Sequence, residues 1–199
     1  MQRLLNPAEI PQLYHLLQGH MDEYLQCADA SCNHSRLSSG ADFSSLQLAV
    51  ATGDGAVVHN VQEALDRHFA EEQVEVLCPH CGRTRQAWKK HVVTRCPHVL
   101  PLSLKRWVGY GAAAVLNPIE VTNTLQLMDQ QYNLCAVVVH LGSTPKAGHY
   151  ITVARHEING GSWWLYDDWR SVIAKPEEIS TLCTYRMSPM KSYVLLYER

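Results

Sequence analysis

Three side chains could do acid–base chemistry together. They are His149, in Ala147-Gly148-His149-Tyr150, and the neighbours Asp167 and Asp168, which close Trp163-Trp164-Leu165-Tyr166-Asp167-Asp168. An imidazole titrates near neutrality, and a carboxylate beside it fixes its tautomer and supports its charge. That pair is what a general base needs to take a proton from a nucleophile such as a thiol. Residues 148–155 and 162–167 are rich in aromatic and β-branched types, and Asn159-Gly160-Gly161-Ser162 supplies turn chemistry between them. A hairpin with 156–161 as its loop sets Arg155 opposite Ser162, and so Asp168 opposite His149. A slip of one residue sets Asp167 there instead. Directly opposed side chains have Cβ atoms about 4.5–5.5 Å apart, within reach of a carboxylate–imidazole bond. Successive residues point to opposite faces, so one aspartate at most can be the partner. The expected geometry puts the carboxylate on Nδ1 and leaves Nε2 to take the proton. The plainer alternative is a surface histidine beside a solvated turn acid.

The cysteines suggest a second kind of chemistry. There are seven, and four fall into two pairs, Cys27 with Cys32 and Cys78-Pro79-His80-Cys81. Both spacings suit the knuckles of a tetrahedral zinc site, with a structural Zn2+ held by Cys27, Cys32, Cys78 and Cys81. His34 or His80 could replace one thiolate. The stretch between the pairs is longer than a simple finger allows, so folded structure must join the knuckles. Within it, residues 43–50 read as a strand, and Val61, Ala64, Leu65 and Phe69 fall at helical spacing. No secretory segment opens the chain, which argues against a disulfide framework. Free thiols with zinc point to a reducing compartment, cytoplasm or nucleus.

Composition narrows the function classes. The chain has 199 residues, 46% hydrophobic and 18% charged, enough for a substantial core. A formal net charge of −2 provides no basic field for nucleic acid. No apolar run approaches the roughly 18 residues of a membrane-spanning helix. The locally basic stretch 83–91 reads as a solvated strand. Asn6-Pro7-Ala8-Glu9 resembles a helix start, with the helix running to about Leu17. Residues 109–114 read as a flexible bridge, and 117–199 as mostly antiparallel strands with one helix near 176–183.

These motifs occur in a recognisable order. Leu25-Gln26-Cys27 and Cys32-Asn33-His34-Ser35 precede Cys78-Pro79-His80-Cys81. Then follow Cys96-Pro97-His98-Val99-Leu100-Pro101-Leu102-Ser103-Leu104-Lys105-Arg106-Trp107, Gly148-His149-Tyr150, Tyr166-Asp167-Asp168 and the closing Tyr193-Val194-Leu195-Leu196-Tyr197. From Leu25 to Arg199 the chain resembles the fingers and palm of a ubiquitin-specific protease, or ubiquitin carboxyl-terminal hydrolase, a cysteine-type deubiquitinase. The resemblance implies an α+β fold: a papain-like palm of antiparallel strands carrying a zinc-ribbon finger subdomain. Residues 1–199 would form a partial catalytic domain, with fingers and the start of the palm in 22–107 and the palm in 117–199. It makes His149 the catalytic base and Asp167 its orienting acid. Asp168 becomes a neighbouring acid that supports an oxyanion or a bound water. It makes the four cysteines a structural zinc ribbon, although that ribbon usually has two residues between its first two cysteines and this one has four. Trp107 replaces the family's usual Phe.

One departure matters more. The family's nucleophile lies in a box similar to G-N-T-C-Y at the start of a thumb helix, and no segment of these residues matches it. A helix N-terminus lowers a thiol pKa and offers N–H groups to an oxyanion, so the box supplies more than a sulfur. Cys135 lies in an apolar strand, Cys96 precedes a proline, and Cys183 falls near the end of the helix expected near 176–183. None reads as a replacement, and the chain alone is expected to be inactive. Three readings follow. The chain is the His/Asp half of a deubiquitinase, with a thumb-supplying segment or partner chain. Or it is an inactive pseudoenzyme that binds ubiquitin or ubiquitinated proteins. Or it is a zinc scaffold without ubiquitin contact. A palm lacking its thumb exposes apolar surface. The isolated chain is therefore expected to show marginal solubility or self-association, or to need a partner that supplies the thumb. A monomer that melts cooperatively with little ANS binding would contradict that.

Overall fold

The computed structural model describes residues 11–51, 57–106, 115, 118–144, 147–156, 161–175 and 190–199. In chain order its elements are α1 (Pro11–Leu17), β1 (Gly19–Cys27), β2 (Ser35–Phe43), β3 (Leu46–Ala49), α2 (Val61–His68), β4 (Glu72–Leu77) and β5 (Thr84–Arg95). Then come β6 (Val99–Lys105), β7 (Thr124–Leu127), β8 (Gln130–Thr144), β9 (Ala147–His156), β10 (Ser162–Asp167), β11 (Arg170–Ile173) and β12 (Met190–Glu198). Strands dominate, and among the described residues the helices are two short ones. The expected bridge at 109–114, the expected helix near 176–183, Trp107 and Cys183 lie outside the described residues, as does the helix start at Asn6. Neither described helix is long and apolar enough to cross a membrane. The chain divides into two compact units, Met1–Ser44 with Asp66–His98 and Ser45–Leu65 with Val99–Arg199.

The first unit is built on a four-stranded antiparallel sheet in the order β2-β1-β5-β4. Because β1 and β5 run antiparallel, with Cys27 opposite Ala87, the β1–β2 and β4–β5 turns emerge at the same end. That single topological fact brings the two cysteine pairs together. One face of the sheet is apolar and buried, with Leu25, Cys27 and Ala87 8% exposed or less. The other edge of the sheet is tied by charge: Asp42 accepts from His20, Gln18 and Arg95, joining β1, β2 and β5.

The second unit holds a larger sheet in the order β11-β10-β9-β8-β12-β6-β3, with β7 also paired to β8. Among these named strands every pairing is antiparallel except β3 with β6. Its centre is close to dry: Val137, Val139, Leu100, Leu102, Leu195 and Tyr197 are completely buried. The near-continuous apolar runs of β6 and β8 are what strands covered on both faces require. Tyr197 keeps its hydroxyl paired by donating to the Thr122 carbonyl at 2.7 Å, which removes the penalty of burying it. Helix α2 starts at a capping arrangement. Asn60 Oδ1 accepts the Glu63 N–H and Glu63 Oε2 accepts the His59 N–H, both at 2.8 Å.

The strand expected at residues 43–50 is two strands. Phe43 ends β2, Ser44 and Ser45 turn the chain, and Leu46–Ala49 forms β3 in the other sheet, parallel to β6. Leu46 and Leu48 are buried there, while Phe43 is buried with its ring against Gly19 of the first unit. Leu102 pairs with both Leu46 and Leu195 and is fully buried. Leu102→Ala is expected to destabilise the second unit by about 2–5 kcal/mol, read as a lowered urea midpoint at unchanged slope.

Candidate functional site

His149 lies on β9, opposite Leu141 of β8. On its other side, the β9–β10 ladder pairs Ser162 with His156 and Tyr166 with Thr152. This register differs from both expected ones, so neither aspartate stands directly opposite His149. Continued by one step, the ladder sets Asp167 beside Ile151, two residues along from His149 and on the same face. The diagonal separation of such a pair, about 7–8 Å between strands, suits an imidazole reaching across to a carboxylate. The contact is made at the far ring nitrogen: His149 Nε2 and Asp167 Oδ1 are 2.5 Å apart. The expectation of a bond at Nδ1 is therefore corrected. An ionised carboxylate can only accept, so Nε2 carries the hydrogen and Nδ1 presents a free lone pair.

Asp168 follows in the β10–β11 turn with φ of 50°, a left-handed conformation that Asp tolerates better than most residues. The turn brings its carboxylate back to the pair, and the ligand atoms of His149, Asp167 and Asp168 all lie within 4.8 Å of one another. The hydrogen bond that His149 donates to Asp167 raises the His149 pKa; partial desolvation opposes this, and the charges of Asp167 and Asp168 add to the rise. His149 is 42% and Asp167 48% exposed, so solvent screens the pair and it contributes little to stability. The arrangement is an accessible base with a stabilised cationic form.

A residue to which the sequence assigned no role packs beneath the glycine that precedes His149. His140 on β8 is only 2% exposed and packs against Tyr150, ring centroids 4.7 Å apart. It lies under Gly142 and Gly148. A Cβ on Gly148 would fall 2.2 Å from His140 Nε2 and 2.7 Å from the Leu141 carbonyl oxygen. The glycine before His149 is thus required for close approach and not for a turn. The signal was present in the sequence, as glycines on both strands of an otherwise bulky hairpin.

The four cysteines of the first unit do come together. Cys27 ends β1, Cys32 lies in the turn before β2, and Cys78 and Cys81 lie in the β4–β5 turn. Each turn is closed by backbone bonds, Cys27 N–H to the His34 carbonyl and Cys78 N–H to the Arg83 carbonyl. Asn33 and Gly82 take left-handed backbone at φ of 43° and 66°. All four sulfurs lie within 4.8 Å of one another, close enough to ligate one metal ion. Cys27, whose spacing is the less regular, belongs to the cluster. Backbone N–H groups of Cys81 and His80 lower the Cys78 thiol to about 7. At Cys32 the His34 N–H favours the thiolate, but desolvation and the neighbouring sulfurs prevail and push it up to about 11. Four adjacent thiols cannot all ionise unless a cation offsets their charge.

Of the remaining described cysteines, Cys135 stands apart from His149 within the second unit. Cys135 is raised to about 11 by burial and donates to the Leu196 carbonyl at 3.2 Å. It lies six positions along β8 from Leu141, the partner of His149, or about 20 Å at strand rise. Cys96 follows β5 in the first unit.

Comparison with known proteins finds relatives of this chain. The family model described as Ubiquitin carboxyl-terminal hydrolase matches residues 6–197. Ubiquitin carboxyl-terminal hydrolase 4 of Arabidopsis thaliana is 28% identical over 137 residues, covering 61% of this chain and 36% of the relative. Ubiquitin carboxyl-terminal hydrolase 9 of Saccharomyces cerevisiae is 28% identical over 155 residues, covering 70% and 20% respectively. The chain thus spans little more than a third, or less, of the length of these curated relatives. A solved structure of the SAGA DUB module, Ubp8 with Sgf11, Sus1 and Sgf73 bound to monoubiquitin, superposes with a TM-score of 0.75 at 23% identity. The match covers 93% of this chain and 41% of that one, which shows a shared fold.

Two outcomes test the local geometry. Asp167→Asn is expected to lower the His149 pKa toward its ordinary value, followed by NMR titration of the imidazole. The sign follows from linkage. A raised histidine pKa gives a contribution complete below the unfolded value and lost as pH rises through the folded one, so the variant should matter least in alkali. Gly148→Ala is expected to cost about 1–3 kcal/mol through overpacking against His140, read by urea denaturation. An unchanged midpoint would show that His140 is free to move away.

Proposed function

The chain belongs to the ubiquitin carboxyl-terminal hydrolase family, and on that premise we propose that it carries the base and orienting acid of a thiol-dependent deubiquitinase. The observation that supports this most is the His149–Asp167 bond at Nε2, which leaves Nδ1 open. In this reading a thiol outside the cysteines described above, on a thumb-supplying segment or partner chain, gives its proton to Nδ1. The thiolate attacks the carbonyl of ubiquitin's C-terminal glycine in an isopeptide or peptide bond. The resulting imidazolium is held by Asp167 and returns its proton to the departing amine. Nδ1 then takes a proton from the water that cleaves the thioester. Asp168, whose carboxylate lies within 4.8 Å of the Asp167 carboxylate and a His149 ring nitrogen, accepts a hydrogen bond from a bound water, which in turn donates to the oxyanion or attacks the thioester.

The four-cysteine cluster fits a structural Zn2+. Two sulfurs about 2.3 Å from a tetrahedral zinc stand roughly 3.8 Å apart, and Cys32 Sγ and Cys78 Sγ are separated by 3.8 Å. Cys27, Cys32, Cys78 and Cys81 would hold the ion, which links the two turns of a zinc-ribbon finger and does no catalysis. Thiolate ligands of this kind suit a reducing compartment, cytoplasm or nucleus.

The test is a ubiquitin probe bearing a C-terminal electrophile, read by intact mass. The zinc-loaded chain alone is expected to bind ubiquitin in calorimetry and to form no adduct. Adding a thumb segment with its cysteine should give an adduct on that cysteine, slowed about 10²–10⁴-fold by His149→Ala. Adduct formation by the chain alone, lost in one Cys→Ala variant, would identify a nucleophile among its own cysteines. Binding without an adduct under every condition would mark a pseudoenzyme.

A further inference from the structure

His80 stands between two of the clustered cysteines in sequence, yet its ring turns toward a third. Its Nδ1 lies 3.5 Å from Cys32 Sγ, on the opposite turn. The ring also stacks on His34, with centroids 5.1 Å apart and planes 14° from parallel. Four thiolates already complete a tetrahedral site, so neither contact is needed for that set. The stack restricts the ring to the plane in which Nδ1 faces the sulfur.

The four sulfurs also differ in access. Cys27 and Cys78 are each 5% exposed, whereas Cys32 and Cys81 are half-buried. Cys32 is therefore one of the two sulfurs that a reagent reaches first, and the nitrogen beside it belongs to a class of ligand that zinc accepts as readily as sulfur.

We propose that His80 is a reserve ligand for the metal, held beside Cys32. While Cys32 is intact, His80 donates Nδ1–H to its sulfur and the ion is held by four thiolates. When Cys32 is capped or removed, the neutral imidazole carries its hydrogen on Nε2 instead, and Nδ1 takes the vacated position. The site then continues with three thiolates and one nitrogen. This rests on the reading that the four cysteines bind zinc, and the experiment separates the two.

Zinc content and Co2+ absorption are measured on the whole chain. The unmodified chain is expected to hold one ion; if it takes up none, both readings fall. Cys32→Ala is expected to keep one ion, with thiolate-to-cobalt charge transfer reduced to about three-quarters as four thiolates become three. Cys32→Ala combined with His80→Ala should bind at least about tenfold more weakly. Equal affinity of the single and double variants, whether high or low, overturns the role of His80 and leaves the four-cysteine site standing. A second measurement keeps all four cysteines and so does not depend on the folding of Cys32→Ala. Under limiting iodoacetamide, where a cysteine thiolate displaces iodide, His80→Ala should release zinc at fewer equivalents than the unmodified chain. Coincident release curves overturn the proposal.

Discussion

The two-residue offset between His149 and Asp167 along the β9–β10 ladder is the constraint on which the chemistry of the larger unit depends. A directly opposed carboxylate would lie close to the base of the ring and would suit Nδ1. A diagonal one is reached by the far end of the ring, at Nε2. The offset therefore decides which nitrogen keeps a lone pair. In the proposed reaction it also sets where the nucleophile would stand, because Nδ1 lies on the side of the ring near the backbone. Everything that fixes β9 against its neighbours, from the buried valines of β8 to the Gly148–His140 contact, fixes that choice.

The parts of this arrangement that could be read in advance are those set by residue type and spacing. The paired cysteines foreshadow a cluster because a hairpin tip presents two sulfurs in one direction, and two such tips on neighbouring hairpins converge. The hairpin bearing His149 and the acids was equally visible. Its register was not, because the glycine-rich stretch before Ser162 marks a turn without fixing its length. Strand β9 continues through His156, whose ring bonds the Tyr166 hydroxyl and packs edge-on against Trp164. Those contacts across the hairpin extend the ladder by a residue and shift every pairing below it. Local propensity carries no information about them.

The break of residues 43–50 into two strands is legible in their alternation. Phe43 is buried at an odd position, whereas Leu46, Leu48 and Val50 are buried at even ones. A single strand cannot keep both sets on one face, because its side chains alternate with period two. The change of parity across Ser44 and Ser45 is the point at which the chain leaves one sheet for the other. Composition there is unremarkable, so only the alternation carries the signal. His140 escaped for a different reason. A buried histidine inside a valine-rich strand looks like an exception until the glycines that accommodate it are placed opposite.

The two clusters solve one problem in the same way. A sheet fixes backbone positions to a fraction of an ångström but points its side chains only up or down. A group that must converge with others from a strand end therefore needs a change of direction, and left-handed backbone supplies it within a single residue. Asn33 follows Cys32, Gly82 follows Cys81, and Asp168 is itself the converging acid. These are the residue types that enter that conformation at least cost, and β-branched residues are the types it excludes. Apart from Gly82 itself and its two chain neighbours, no atom stands within 4 Å of where a Cβ would lie, so its identity answers to backbone angle and not to space. Each cluster thus combines a ladder that sets distance with a turn residue that sets aim. Altering either moves the ligand atoms without touching them.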